Sequence, residues 1–181
     1  MKLNEINKVE VTCLVDNQVD MTLPSTSVVR RPSPRESWFE KPPIAEHGFS
    51  VSVTFEINGA KHRILFDSGM SPWTASYNVD TLDFDLSYCE MAILSHGHID
   101  HAGGLLNIRK KMNALHIPLI VHKDAFKSRL FKFPDGKILN LPTQNRSLLV
   151  KAGYDIMEKN SPSLWLNDSI LVTGEIPRTN N

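Results

Sequence analysis

Apolar and polar residues alternate through Phe49-Ser50-Val51-Ser52-Val53-Thr54-Phe55-Glu56-Ile57, the period of a strand with one face buried. Asn58-Gly59 follows as a hairpin turn signal, so His62 to Phe66 reads as the returning strand, running into the polar turn Asp67-Ser68-Gly69. Val9 to Val15 is a further strand, ended by Asp16-Asn17. Met91-Ala92-Ile93-Leu94 is wholly apolar and fits a strand covered on both faces, as does Leu119-Ile120-Val121. Ser169 to Gly174 has the look of a final strand.

Helical spacing begins at Gly104. Leu105, Ile108, Met112 and Leu115 fall on one face and Arg109, Lys110 and Lys111 mostly on the other, with Pro118 expected to end the helix. Shorter helices are expected over Pro72 to Asn78, Asp124 to Leu130 and Ser147 to Ala152, the last stopped by Gly153. Asp135-Gly136 turns between two short extended pieces. Residues 21–47 hold Pro24, Pro32, Pro34, Pro42 and Pro43, which exclude a regular element through the middle. A Pro-rich loop this long is either a functional lid or substrate-binding loop, or a disordered segment. The sum is an α/β architecture in one domain, residues 1–181, with helices covering sheet faces.

Composition changes this picture little. At 181 residues the chain can bury a proper core. Lys plus Arg and Asp plus Glu each number 20, so net charge is zero and neither nucleic acid nor an anionic membrane is a favoured partner. Arg30, Arg31 and Arg35 could hold an anion or form an ordinary solvated loop. No apolar run reaches the length of a membrane span, and Met1 to Lys8 carries no secretory signal, so the expected location is cytoplasmic. Cys13 and Cys89 lack CxxC spacing and are expected as buried free thiols.

The chemistry gathers directly after the buried strand 91–94. His96, His98, Asp100 and His101 are metal-ligand types within six residues, and Gly97, Gly103 and Gly104 let the backbone turn tightly around them. Imidazole and carboxylate without thiolate suit zinc first, and also iron or manganese. His96 and His98, two apart, can share one metal; Asp100 and His101 can serve a second. Two divalent metal ions at such a site can activate a hydroxide near neutral pH.

Ser95-His96-Gly97-His98-Ile99-Asp100-His101 resembles the HxHxDH signature of metallo-β-lactamase-fold hydrolases. The wider stretch Leu94 to Gly104 is similar to the branch containing the 7,8-dihydropterin-6-methyl-4-(β-D-ribofuranosyl)-aminobenzene-5′-phosphate synthases. Leu14 to Asn17, Glu46 to Ser50, Ile64 to Gly69 and Thr173 to Arg178 agree with it. The resemblance implies His96 and His98 on the first metal and Asp100 and His101 on the second. It implies Asp67 as a supporting carboxylate that orients a ligand, with Ser68 where the family often has Thr, and it leaves His47 as either a residue of the site mouth or a plain loop histidine. The family fold is an αββα sandwich of two halves, whose second half supplies further His ligands. Only His116 and His122 follow the cluster here, neither in the expected context, although His122, at a strand end, could partly substitute. The chain is therefore expected to hold the N-terminal half and only the start of the second.

The resulting expectation is a metal-dependent hydrolase of a small ester, lactone or phosphorylated substrate, acting through metal-activated hydroxide, with Asp100 also helping to orient the nucleophile. The alternatives are a transferase like the dihydropterin synthase, or a truncated, catalytically inactive metal-binding domain. The expected partner is a small-molecule substrate, with homo-oligomerisation left open.

Overall fold

Asn58 and Gly59 both take positive φ, 50° and 80°, the geometry of a two-residue hairpin turn whose twist matches that of its strands. In the computed structural model, which describes residues 1–177 and 179, that turn joins β2 (Ser50–Ile57) to β3 (Ala60–Phe66). Val51 pairs with Phe66 and Ile57 with Ala60. Antiparallel β1 (Val9–Val15) closes one edge, with a bulge between Cys13 and Val15. Beyond β3 the sheet turns parallel through β4 (Met91–Ile93), β5 (Ile117–Val121) and β8 (Tyr154–Glu158), giving the order β1-β2-β3-β4-β5-β8.

The sheet has two apolar faces, as the uninterrupted run of β4 requires. Leu65, Ala92, Leu119 and Val121 face the helices, packing with Ala75 and Val79 of α1 (Thr74–Thr81), Leu105 and Ile108 of α3 (Leu105–Ile108) and Leu149 of α4 (Arg146–Lys151). Phe55, Ile64, Met91, Ile93 and Ile120 form the other face, against Ile6 and a small hairpin of β9 (Ser163–Trp165) and β10 (Ile170–Val172). A separate hairpin, β6 (Arg129–Lys132) with β7 (Ile138–Leu141), turns through Asp135-Gly136.

Several expectations give way. The helix from Gly104 ends early, tightening into a 3₁₀ turn at Arg109–Lys111, and Pro118 lies inside β5. Arg109 is buried: its guanidinium donates to the carbonyls of Met112, Ala114, Leu115 and Gly153, satisfying acceptors that the truncated helix and the following turn leave open. Leu115 is 82% exposed for the same reason, since the helix that would have turned it inward has stopped. The stretch Asp124 to Leu130 is a 3₁₀ turn, Lys123–Phe126, followed by β6, because Arg129 draws in the carbonyls of Asp124, Ala125 and Lys127 and breaks the helical path. Strands β8 and β9 carried no clear alternation and escaped the pattern reading. Cys89 is a buried free thiol, but Cys13 is an exposed one, because β1 is an edge strand whose outer face is open.

The Pro-rich segment 21–47 is anchored to α1. Asn78, itself buried, donates to the carbonyls of Leu14 (2.7 Å) and Ile44 (2.8 Å) and accepts from the Ile44 amide (2.9 Å). Trp38, in a short 3₁₀ turn at Glu36–Phe39, buries its indole and donates to the Thr81 carbonyl. Arg30, Arg31 and Arg35 lie on the exposed part of the segment, with Arg35 paired to Asp83 at 3.6 Å. Among the described residues no helix is long and apolar enough to cross a membrane.

Candidate metal centre

Parallel strands β3 and β4 end side by side, so the turns that leave them meet. Phe66 pairs with Ile93, and the next residue, Asp67, donates its amide to the Ile93 carbonyl at 3.0 Å while taking a left-handed φ of 57°. That conformation is unfavourable for a residue with a side chain, and it turns the carboxylate inward to 1% exposure. The Asp67-Ser68-Gly69 turn is stitched to the histidine loop through its backbone: the Ser68 amide donates to the His101 carbonyl (2.7 Å) and the Gly103 amide to that of Gly69 (2.9 Å). A Cβ on Gly103 would run into the Met70 carbonyl, so this approach needs a glycine. The loop starts at Ser95, and His98 stands at the N-cap of the short α2 (Ile99–Ala102) that carries Asp100 and His101.

The side chains of the motif are neighbours. The His96 ring lies 4.6 Å from that of His98 and 4.3 Å from that of His101, centroid to centroid. Asp67 Oδ2 accepts from His101 Nδ1 at 2.7 Å, which leaves Nε2 of that ring toward Asp100 Oδ2 at 3.5 Å. His47 Nε2 lies 3.5 Å from the same Asp100 oxygen, on a side chain that is 74% exposed. Burial, and then the charges of His101 and His98, hold the His96 imidazolium below its ordinary pKa, which favours the neutral ring that a metal requires.

Two contributors carried no signal strong enough to be read from sequence. Ser95 donates its amide and hydroxyl to the two oxygens of Asp67, both at 2.7 Å, and its Oγ is 3.0 Å from His96 Nδ1. Its place next to the cluster was the only hint. Glu46, beside His47, accepts from the amides of Met70 and Ser71 and closes the end of the Pro-rich loop onto the turn. His122 is on the same sheet edge but contacts Glu175 (3.4 Å) and caps the 3₁₀ turn through Asp124, while His116 pairs with Asp155 at the opposite end of β5. Among the described residues no set of three or more His, Cys, Asp or Glu stands around a common point as a bound ion demands. The donor types fit a divalent cation: imidazoles and one carboxylate side by side, with a buried carboxylate behind His101.

A buried-strand exit carrying this histidine loop, on a mixed sheet with helices on one face, defines a metallo-hydrolase-like α/β fold. The model of the metallo-beta-lactamase superfamily matches residues 47–174, and the chain belongs to that superfamily. It is similar to the 7,8-dihydropterin-6-methyl-4-(beta-D-ribofuranosyl)-aminobenzene-5'-phosphate synthase of Methanocaldococcus jannaschii, 38% identical over 141 residues, covering 76% of this chain and 47% of that protein. An uncharacterized protein of the same organism is 33% identical over 136 residues, covering 75% and 48%. The chain thus spans about half the length of the curated relatives it matches. Among solved structures, the Rm3 metallo-beta-lactamase aligns at TM-score 0.42 and 22% identity over 70% of this chain and 48% of that one. A quorum-quenching N-acyl homoserine lactone hydrolase aligns at 0.41 and 15% over 69% and 50%.

Proposed function

We propose that this chain carries the metal-binding half-site of a metal-dependent hydrolase acting on a small ester, lactone or phosphorylated compound. The observation that supports this most is the buried Asp67 carboxylate, held by Ser95 and in turn holding His101, whose ring adjoins that of His96. A carboxylate placed behind an imidazole fixes which nitrogen faces outward and raises its basicity. His96 and His98 would hold one ion, and Asp100 and His101 a second, zinc first by donor type. When bound, such ions supply Lewis acidity and water activation near neutral pH. The protein's own residues orient the reactants. Asp67 would keep His101 in one tautomer, Asp100 would help to orient the nucleophile, and His47 would donate a hydrogen bond to a substrate oxygen.

The test is zinc content of the purified chain and of His98→Ala and Asp100→Ala, beside a screen on p-nitrophenyl acetate and bis(p-nitrophenyl) phosphate. Both variants should keep their circular dichroism and lose most bound zinc. Full occupancy in both would falsify the ligand assignment, and zinc uptake with no turnover of any ester would sink the hydrolase reading. A second reading, a transferase, is favoured by the 38% identity to a synthase. Product formed from a pterin diphosphate and an aminobenzene ribose phosphate would establish it.

A further inference from the structure

Two groups from the histidine loop share one oxygen of Asp67. Ser95 Oγ and His101 Nδ1 each lie 2.7 Å from Oδ2, while the Ser95 amide donates to Oδ1, also at 2.7 Å. The carboxylate is 1% exposed, and in its ionised form it has no hydrogen to give, so all three neighbours donate to it.

That fixes the direction of a further contact. A serine hydroxyl has one hydrogen, and here the carboxylate takes it, in the shorter of the two bonds that Ser95 Oγ makes. The other, to His96 Nδ1 at 3.0 Å, is left with the oxygen as acceptor and the ring nitrogen as donor. Reversing it would set two oxygens 2.7 Å apart with no hydrogen between them, beside a buried charge. His96 therefore carries its proton on Nδ1, although a free neutral histidine carries it mainly on Nε2. The His101 ring, 4.3 Å from that of His96, has its Nδ1 committed in the same way.

We propose that Asp67 Oδ2 sets the proton position of two histidines at once, His101 directly and His96 through Ser95. Ser95 is then a positioning residue, which leaves His96 Nε2 free as a ligand atom. The ion at that nitrogen rests on the metal-dependent reading above; the proton positions do not. Ser95 is an exposed residue whose amide bond to Asp67 survives truncation, so Ser95→Ala opens no cavity in the core.

The test reads long-range proton–nitrogen correlations of the histidine rings in the nitrogen-labelled, zinc-free full chain at about pH 8, above the ordinary imidazole value. His98, whose ring meets His96 edge to face at 4.6 Å and stands outside this chain of bonds, is the internal reference. In the parent, His96 and His101 should both hold a proton on Nδ1. Ser95→Ala should return His96 to the Nε2–H form, leave His101 as it was and weaken zinc binding about tenfold in a chelator competition. Ser95→Thr, which keeps the hydroxyl, should restore both readouts. Asp67→Asn should release both rings, because the Ser95 amide holds the asparagine oxygen and the NH2 group replaces Oδ2. A parent His96 in the Nε2–H form, a His96 tautomer indifferent to Ser95→Ala, a threonine variant that behaves like alanine, or an Asp67→Asn effect confined to His101 would each overturn the relay. The expected tautomers without zinc uptake would keep the relay and remove the metal-dependent reading. Zinc uptake with the His96 proton on Nε2 would do the reverse.

Discussion

Asp67 Oδ2 and His101 Nδ1 lie 2.7 Å apart, although 34 residues separate them, and this contact joins the ends of two parallel strands into one candidate site. It also fixes the chemistry of the ring, because the nitrogen that donates to Asp67 cannot serve a metal. Replacement by asparagine keeps the shape and removes the charge. Asp67→Asn is expected to leave the far-UV spectrum intact and weaken zinc affinity by about 10- to 100-fold, the usual cost of losing a carboxylate behind a ligand. A competition titration against a chelator measures this, and an unchanged affinity would remove Asp67 from the site.

Gly97 is closely packed between His96 and His98. An added Cβ would strike the Ala125 carbonyl and come within 2.6 Å of Arg129 Nη2. Gly97→Ala should therefore push the His96 and His98 loop away from the 3₁₀ turn, at about 1–3 kcal/mol of stability. Urea denaturation reads the stability, and zinc content should fall with it. A variant as stable as the parent would mean that the loop has room to yield.

Asn78 ties the Pro-rich segment to α1 through three hydrogen bonds with Leu14 and Ile44. Alanine leaves those backbone groups unpaired in a buried place, at about 3 kcal/mol. The expected result for Asn78→Ala is a lower urea midpoint and faster proteolysis within 21–47 under native conditions. Unaltered protease resistance would show that Trp38 alone secures the segment.

Burial pushes the Cys89 thiol up to about 12, and burial raises Tyr154 as well. The unfolded chain releases the Cys89 proton near the ordinary thiol value of 9.0, whereas the folded chain holds it. The contribution to stability is complete below pH 9 and is lost as pH rises toward 12. Stability measured by urea between pH 8 and 11 should decline, and less steeply in Cys89→Ala. Iodoacetamide at pH 8 should label Cys13 in the native protein and Cys89 only after unfolding. Equal native labelling of both would contradict the packing around Cys89.

Local pattern was enough for the strands that alternate or run wholly apolar. Residues 50–57, 60–66 and 91–93 were readable because a period of two and a two-residue turn are short-range signals. It failed where a single side chain redirected the backbone. Arg109 and Arg129 each gather several carbonyls, ending one helix early and converting another into a turn and a strand, and an arginine's partners are not written beside it.

The sequence by itself determined the donor types and their spacing: His96, His98, Asp100 and His101 between glycines after a buried strand, and with them the superfamily. Only the tertiary structure decided which groups stand behind and around them, namely Asp67 on His101, Ser95 between Asp67 and His96, and His47 near Asp100. The reason is physical. Ligand spacing within a loop is set by a few bond rotations, whereas the partners of that loop are set by how parallel strands align their ends, a relation between segments remote in the chain.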